Sequence, residues 1–221
     1  MSSAAREQIL DILRQSPAGR AIQGPARDQC RPEVPDEAGL IEAFCTRVAE
    51  QTGIVYEHDP EQDIGGTLAR ICREHGISTL ISSRCRHLSA AGLPGAAENA
   101  GLNIATQADF TDRRKFTDAV FDNADAGLTG ADFGIAESGT LVLVFDKEHA
   151  RLVSLAPEVH IAVLFKDRIV ALYEQAAEQI FREKKAPSQV AFITGPSMTG
   201  DIQGKQFKGM HGPRKLIVLL I

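Results

Sequence analysis

The feature that most constrains this chain is a repeated switch of hydrophobic period. Leu40, Ile41, Phe44 and Val48 predict a helix ended by Thr52-Gly53, Ile54-Val55-Tyr56 predicts a strand, and Ile64, Leu68 and Ile71 predict a second helix closed by Gly76. A strand over 78–82, a short helix from Arg84, a strand over 102–105 and a helix with Phe116, Ala119 and Val120 repeat that order. A helix between two strands returns the chain to the same end of a sheet, so the strands are expected to be parallel and the crossovers right-handed. After Phe121 the texture becomes strand-rich, with strands over 139–145 and 159–165. A helix over about 167–185 with Ile169, Leu172 and Ile180 follows, and strands over 190–194 and 216–221 are expected to finish the sheet. The predicted class is α/β, a three-layer α/β/α sandwich.

Residues 2–15 set Ile9, Leu10 and Leu13 on one helical face, and Pro17 forbids continuation. Pro25, Pro32 and Pro35 then mark a linker without period, so the chain reads as an N-terminal helix and linker over 1–35 and a domain over 36–221. With 221 residues, 43% of them hydrophobic, one sizeable core is expected. The formal net charge of −5, with no long basic run, argues against nucleic acid as a partner. Apolar runs such as 141–145 and 216–221 are far shorter than the roughly 20 residues a membrane helix needs, so no membrane span is expected. The first residues lack the basic start and apolar stretch of a signal peptide. Cys30, Cys45, Cys72 and Cys85 stand singly with no C-x-x-C pair, which fits reduced thiols in the cytoplasm and no metal or iron-sulfur cluster held by this chain.

Three segments could hold chemistry. Residues 127–144 bracket Asp132 and Glu137 with glycines just before an apolar strand, where carboxylates add little packing unless they cap, pair or bind. Residues 194–202 follow a strand and supply the hydroxyls of Ser197 and Thr199, free backbone amides and Asp201, a plausible anion cradle. Gly195 and Gly200 have the separation of a Walker A loop, but Asp201 and Ile202 occupy the places of its Lys and Ser/Thr. Residues 209–215 set His211 beside Arg214 and Lys215 in a glycine-proline turn, which offers a general acid/base and a carboxylate clamp. Of the other histidines, His58, His75, His87 and His149 read as caps or surface and His160 as a core group. G-x-G-x-x-G is absent, Ser138 lacks the first glycine of G-x-S-x-G, and no close metal-ligand spacing such as H-E-x-x-H occurs, so no metal is expected.

Taken in order, Gly130-Ala131-Asp132, Glu137-Ser138-Gly139-Thr140-Leu141-Val142, Gly195-Pro196-Ser197, Thr199-Gly200-Asp201-Ile202 and His211-Gly212-Pro213-Arg214 resemble the LUD-domain family and its lactate utilization protein C branch. The resemblance implies a fold like that of ribose-5-phosphate isomerase, glucosamine-6-phosphate deaminase and CoA transferases. It implies a component of a system that oxidises L-lactate to pyruvate, in which partner subunits hold the iron-sulfur clusters and this chain has no redox cofactor. On that reading Glu137, Asp201 and His211 are the candidate catalytic residues. Asp132, Thr140, Ser197, Thr199 and Arg214 are the candidate contacts to a small carboxylate substrate. Two alternatives stay open: an acyl or CoA transferase with Glu137 as nucleophile, and a non-catalytic assembly or regulatory subunit.

Overall fold

The computed structural model describes residues 3–15, 39–182, 187–200 and 206–221. The chain divides into two compact units, Met1–Glu33 and Val34–Ile221. The first contains helix α1 (Ser3–Gln15). Cys30 and Asp201 lie outside the described residues.

The second unit is α/β, as the alternating period predicts. Its central sheet is parallel throughout, in the order β1 (Ile54–Glu57), β12 (Lys215–Leu220), β7 (Val159–Leu164), β4 (Ala126–Gly130), β2 (Leu80–Ser82), β3 (Ile104–Thr106). The middle strands are buried on both faces, as a parallel sheet requires. Helices α3 (Ile64–His75), α4 (Arg86–Ala90) and α5 (Leu93–Asn99) cover one face, packing Leu68, Ile71, Leu88 and Leu93 on Leu128, Ile161 and Leu219. Local chemistry fixes α3 at both ends. The Asp63 carboxylate accepts the Gly66 N–H at 2.7 Å, and Gly76 closes the helix at φ 67°.

The opposite face is more elaborate than a simple helical layer. Helix α2 (Leu40–Glu50) sets Phe44 and Val48 against Leu216, Val218 and Leu220. Helices α6 (Arg113–Asp118) and α7 (Leu152–Leu155) cover Ile81. Between them lies a second sheet in the order β8 (Ile169–Val170), β5 (Phe133–Ile135), β6 (Thr140–Phe145), β9 (Gln189–Ile193), with α8 (Tyr173–Phe181) packed on its far side through Ala176. The segment over 190–194 therefore pairs antiparallel with that over 139–145 rather than finishing the central sheet. A tight turn between β5 and β6 makes antiparallel pairing local, with no crossover needed. Ile169 joins a strand, paired with Gly134, so the helix expected from 167 starts only at Tyr173. A small hairpin, β10 (Met198–Gly200) with β11 (Gln206–Lys208), stands apart. Among the described residues no helix is long and apolar enough to cross a membrane.

Candidate functional site

The strand order determines where a site can form. From β2 the chain goes outward to β3, whereas from β4 it proceeds the other way to β7 and β12. Neighbouring strands β2 and β4 thus send their connections apart, and the gap beyond their carboxyl ends is the switch point at which open α/β sheets bind ligands. Two segments meet there. After β2, the Ser83 N–H still pairs with the Leu128 carbonyl at 3.0 Å, and the chain then turns into α4, whose first residues are Arg86 and His87. After β4, residues 131 and 132 pass between the sheets: the Ala131 N–H bonds the Val163 carbonyl and the Asp132 N–H the Val142 carbonyl, both at 2.8 Å. Gly130 permits the meeting, since a Cβ there would lie 2.6 Å from the His87 Cβ.

Asp132 is 5% exposed and its carboxylate is held from three sides. Oδ1 lies 2.9 Å from His87 Nε2 and accepts from Arg86 Nη2 at 3.0 Å, while Oδ2 accepts the Val144 N–H at 2.8 Å. Burial, the largest influence, pushes its pKa up, but the bonds from His87 and Val144 and the charges of His87 and Arg86 outweigh it and hold it below the ordinary value. Asp132 is therefore ionised at neutral pH and can only accept. His87 Nε2 must therefore carry a hydrogen toward it, and Nδ1 is the ring position left to take up or give back a second proton. Arg86 Nε, 3.3 Å from the same Nε2, is then a neighbour rather than a donor to it.

A cleft of about 390 Å³ opens beside this cluster, lined also by His149, Arg168 and Asp146. His149 is 2% exposed and rests on the Phe145 ring. Its Nδ1 lies 3.3 Å from the Val144 carbonyl, which can only accept, so Nε2 presents a lone pair, buried and without a partner among the described residues. Burial pushes the His149 pKa down, against the opposing pull of Asp132. Arg168 is half-buried, its guanidinium 5.9 Å from the Phe133 ring centroid, and has no carboxylate within ion-pair distance among the described residues. The arrangement combines an acid-base pair, a cation without a carboxylate partner among the described residues and a buried acceptor.

The other sequence candidates lie elsewhere. Glu137, half-buried in the β5–β6 turn, accepts the Tyr173 N–H at 2.8 Å and so caps the start of α8. The Thr140 hydroxyl lies 2.7 Å from those of both Ser138 and Thr194. Ser197 and His211 are brought together: the Ser197 N–H donates to the Pro213 carbonyl at 2.8 Å, and both residues line one cleft. Arg214 faces Glu158 at 3.6 Å, and Thr199 sits in the small hairpin opposite Phe207. The turn with His211 leads into the amino end of β12, whereas Asp132 follows the carboxyl end of β4, so the two stand at opposite ends of a parallel sheet. Among the described residues no group of three His, Cys, Asp or Glu could hold a metal ion.

Sequence reasoning passed over Arg86, His87, His149 and Arg168, and His87 and His149 are buried rather than caps or surface groups. The available signal was Arg84-Cys85-Arg86-His87, a basic cluster directly after a buried parallel strand.

The LUD domain family matches residues 41–221. A lactate utilization protein C of Anoxybacillus flavithermus is 32% identical over 82% of this chain and 79% of its own length. Another protein of that name, from Deinococcus radiodurans, is 27% identical over 91% of each. The fold is shared with the crystal structure of a DUF162 family protein from Deinococcus radiodurans, at a TM-score of 0.62 and 23% identity over 84% of this chain and 98% of that one. Since the family match runs from α2 to the last strand and takes in both sheets together with the cleft between β2 and β4, the chain belongs to the LUD domain family.

Proposed function

We propose that this chain serves in lactate utilization and binds L-lactate in the cleft beyond β2 and β4, within a system whose iron-sulfur partner subunits receive the electrons. The observation that carries the reading is the Asp132–His87 pair beside Arg168, a half-buried cation with no carboxylate partner among the described residues. The name borne by relatives at 32% and 27% identity supports the choice of substrate. A monocarboxylate supplies a counter-charge that Arg168 does not find among the described residues, and a guanidinium fits a carboxylate through two donors. His87, held by Asp132 through Nε2, has Nδ1 left to act as the base that removes the hydroxyl proton. Oxidation to pyruvate releases two electrons and two protons. The hydroxyl proton goes to His87, the Cα proton is released to solvent, and the two electrons pass one at a time to the iron-sulfur clusters of the partner subunits. His149 Nε2 offers a further acceptor in the cleft wall to a hydroxyl or a bound water.

Calorimetric titration of the purified chain with L-lactate and with pyruvate tests the binding half. Arg168→Gln is expected to weaken binding at least tenfold, about 1.4 kcal/mol. His87→Gln is expected to leave binding within about threefold yet lower turnover with the partner subunits by roughly 10²–10⁴, the usual worth of a general base. Lactate affinity indifferent to Arg168→Gln would refute the assignment.

A further inference from the structure

A second cleft, of about 240 Å³, opens at the amino ends of β7 and β12. Its lining includes His160, Leu155, Phe192 and Leu216, together with Ser197 and His211 from the two turns that meet there. Those turns are built to fit each other: the Gly209 N–H donates to the Ser197 carbonyl at 2.8 Å, and a Cβ on Gly212 would come within 3.2 Å of the Ser197 Cβ.

His160 is 1% exposed, and its Nε2 lies 2.8 Å from the Thr129 hydroxyl. Thr129 is fully buried, and its hydroxyl has no other partner among the described residues. If Nε2 held the hydrogen, both the threonine O–H and the Nδ1 lone pair would be left unsatisfied. If Thr129 donates to Nε2 instead, both of those groups are paired and Nδ1–H alone remains, a buried donor with no acceptor among the described residues. Native interiors rarely leave such a donor unmatched, so something that occupies the cleft is its natural partner.

We propose that this cleft binds a small molecule presenting a carbonyl or carboxyl oxygen on a short apolar body, with the oxygen accepting from His160 Nδ1. Leu155, Ile193 and Leu216 supply apolar wall for the body, and the half-buried Ser197 hydroxyl, which has no side-chain bond among the described residues, supplies a second polar contact. The volume lies below the roughly 300–1,000 Å³ usual for drug-sized ligands and suits one of a few heavy atoms. The site stands at the far end of the sheet from Asp132 and does not depend on the lactate reading.

The test is two-dimensional proton–nitrogen spectroscopy of the histidine rings during titration with propionate and, separately, its neutral isostere propionamide. The expected result is a saturable shift of the His160 resonances, half-maximal at about millimolar probe for so small a ligand. Propionamide acting alone assigns a neutral carbonyl, propionate alone a carboxylate, and either supports the site. Leu155→Trp, at a partly exposed wall position, fills the cleft and is expected to weaken the effect at least tenfold, its spectrum reporting that the chain is folded. His160 resonances unmoved by both probes, shifts confined to His87 and His149, or equal binding in Leu155→Trp would overturn the proposal.

Discussion

Asp132 is a carboxylate that burial opposes and three donors retain. Because its folded pKa is depressed, its contribution to stability is present above the unfolded carboxylate value of about 3.9 and is lost as pH falls through the lower folded value. Asp132→Asn keeps the shape but removes the charge that His87 and Arg86 answer, and is expected to cost about 2–4 kcal/mol at pH 7. Urea denaturation from pH 7 to pH 2 should show the gap between variant and wild type constant above about pH 4 and closing below it. A gap independent of pH would mean the carboxylate is not charged in the fold. His160 is the reverse case, since burial pushes its pKa down to about 3. Its ring nitrogens are expected to show one neutral tautomer across pH 5 to 8, and a titration near 6.5 would contradict that burial. Asp132 was legible from the sequence as an acid among glycines before an apolar strand. Its partners were not, because Arg86 and His87 reach it across 46 and 45 residues and nothing local records that pairing.

At the scale of elements, two glycines in the first turn of α3 make a paired experiment. A Cβ on Gly65 would lie 2.1 Å from the Ala96 carbonyl of α5, whereas one on Gly66 meets nothing nearer than the Asp63 carboxylate at 3.5 Å. Gly65→Ala is expected to destabilise by about 2 kcal/mol or more through overpacking of α3 on α5. Gly66→Ala is expected to stabilise by about 0.5 kcal/mol, since alanine loses less backbone entropy in a helix. Chemical denaturation of both variants checks the contrast, and equal effects would mean that α5 gives way. The same close approaches explain what the sequence hid. Strand β4 reads Ala-Gly-Leu-Thr-Gly, poor in β-formers, and resembles a loop. It is nonetheless wholly buried, because Gly127 and Gly130 leave room for the Val153 carbonyl of α7 and for His87. In the helices with clear period and terminal signals, α2 and α3, every residue that marks the period lies within the observed helix, and Gly76 closes α3. By contrast, β8 was absorbed into the following helix because Ile169 and Leu172 satisfy a helical spacing as readily as a short strand.

For the whole molecule, alternation of period revealed the class but not the strand order, since crossover length says nothing about which edge a strand joins. That order decides both the switch point and the separation of the two clefts. It also sets how the molecule comes apart. Strand β12 lies inside the sheet between β1 and β7, with Ile217 and Leu219 in the core under α3 to α5 and Leu216, Val218 and Leu220 in the core shared with α2 and the second sheet. Each core is thus one face of the same strand, and neither can dissolve while β12 remains paired. Leu219→Ala and Leu220→Ala, both at fully buried positions, are each expected to cost about 2–5 kcal/mol. If the sheet couples the cores, each substitution should accelerate native-state hydrogen exchange of the slowest amides in α3 and in β6 by the same factor, whichever face it alters. Leu219→Ala accelerating exchange in α3 while leaving β6 protected would show instead that the second sheet and its cover unfold as a separate unit.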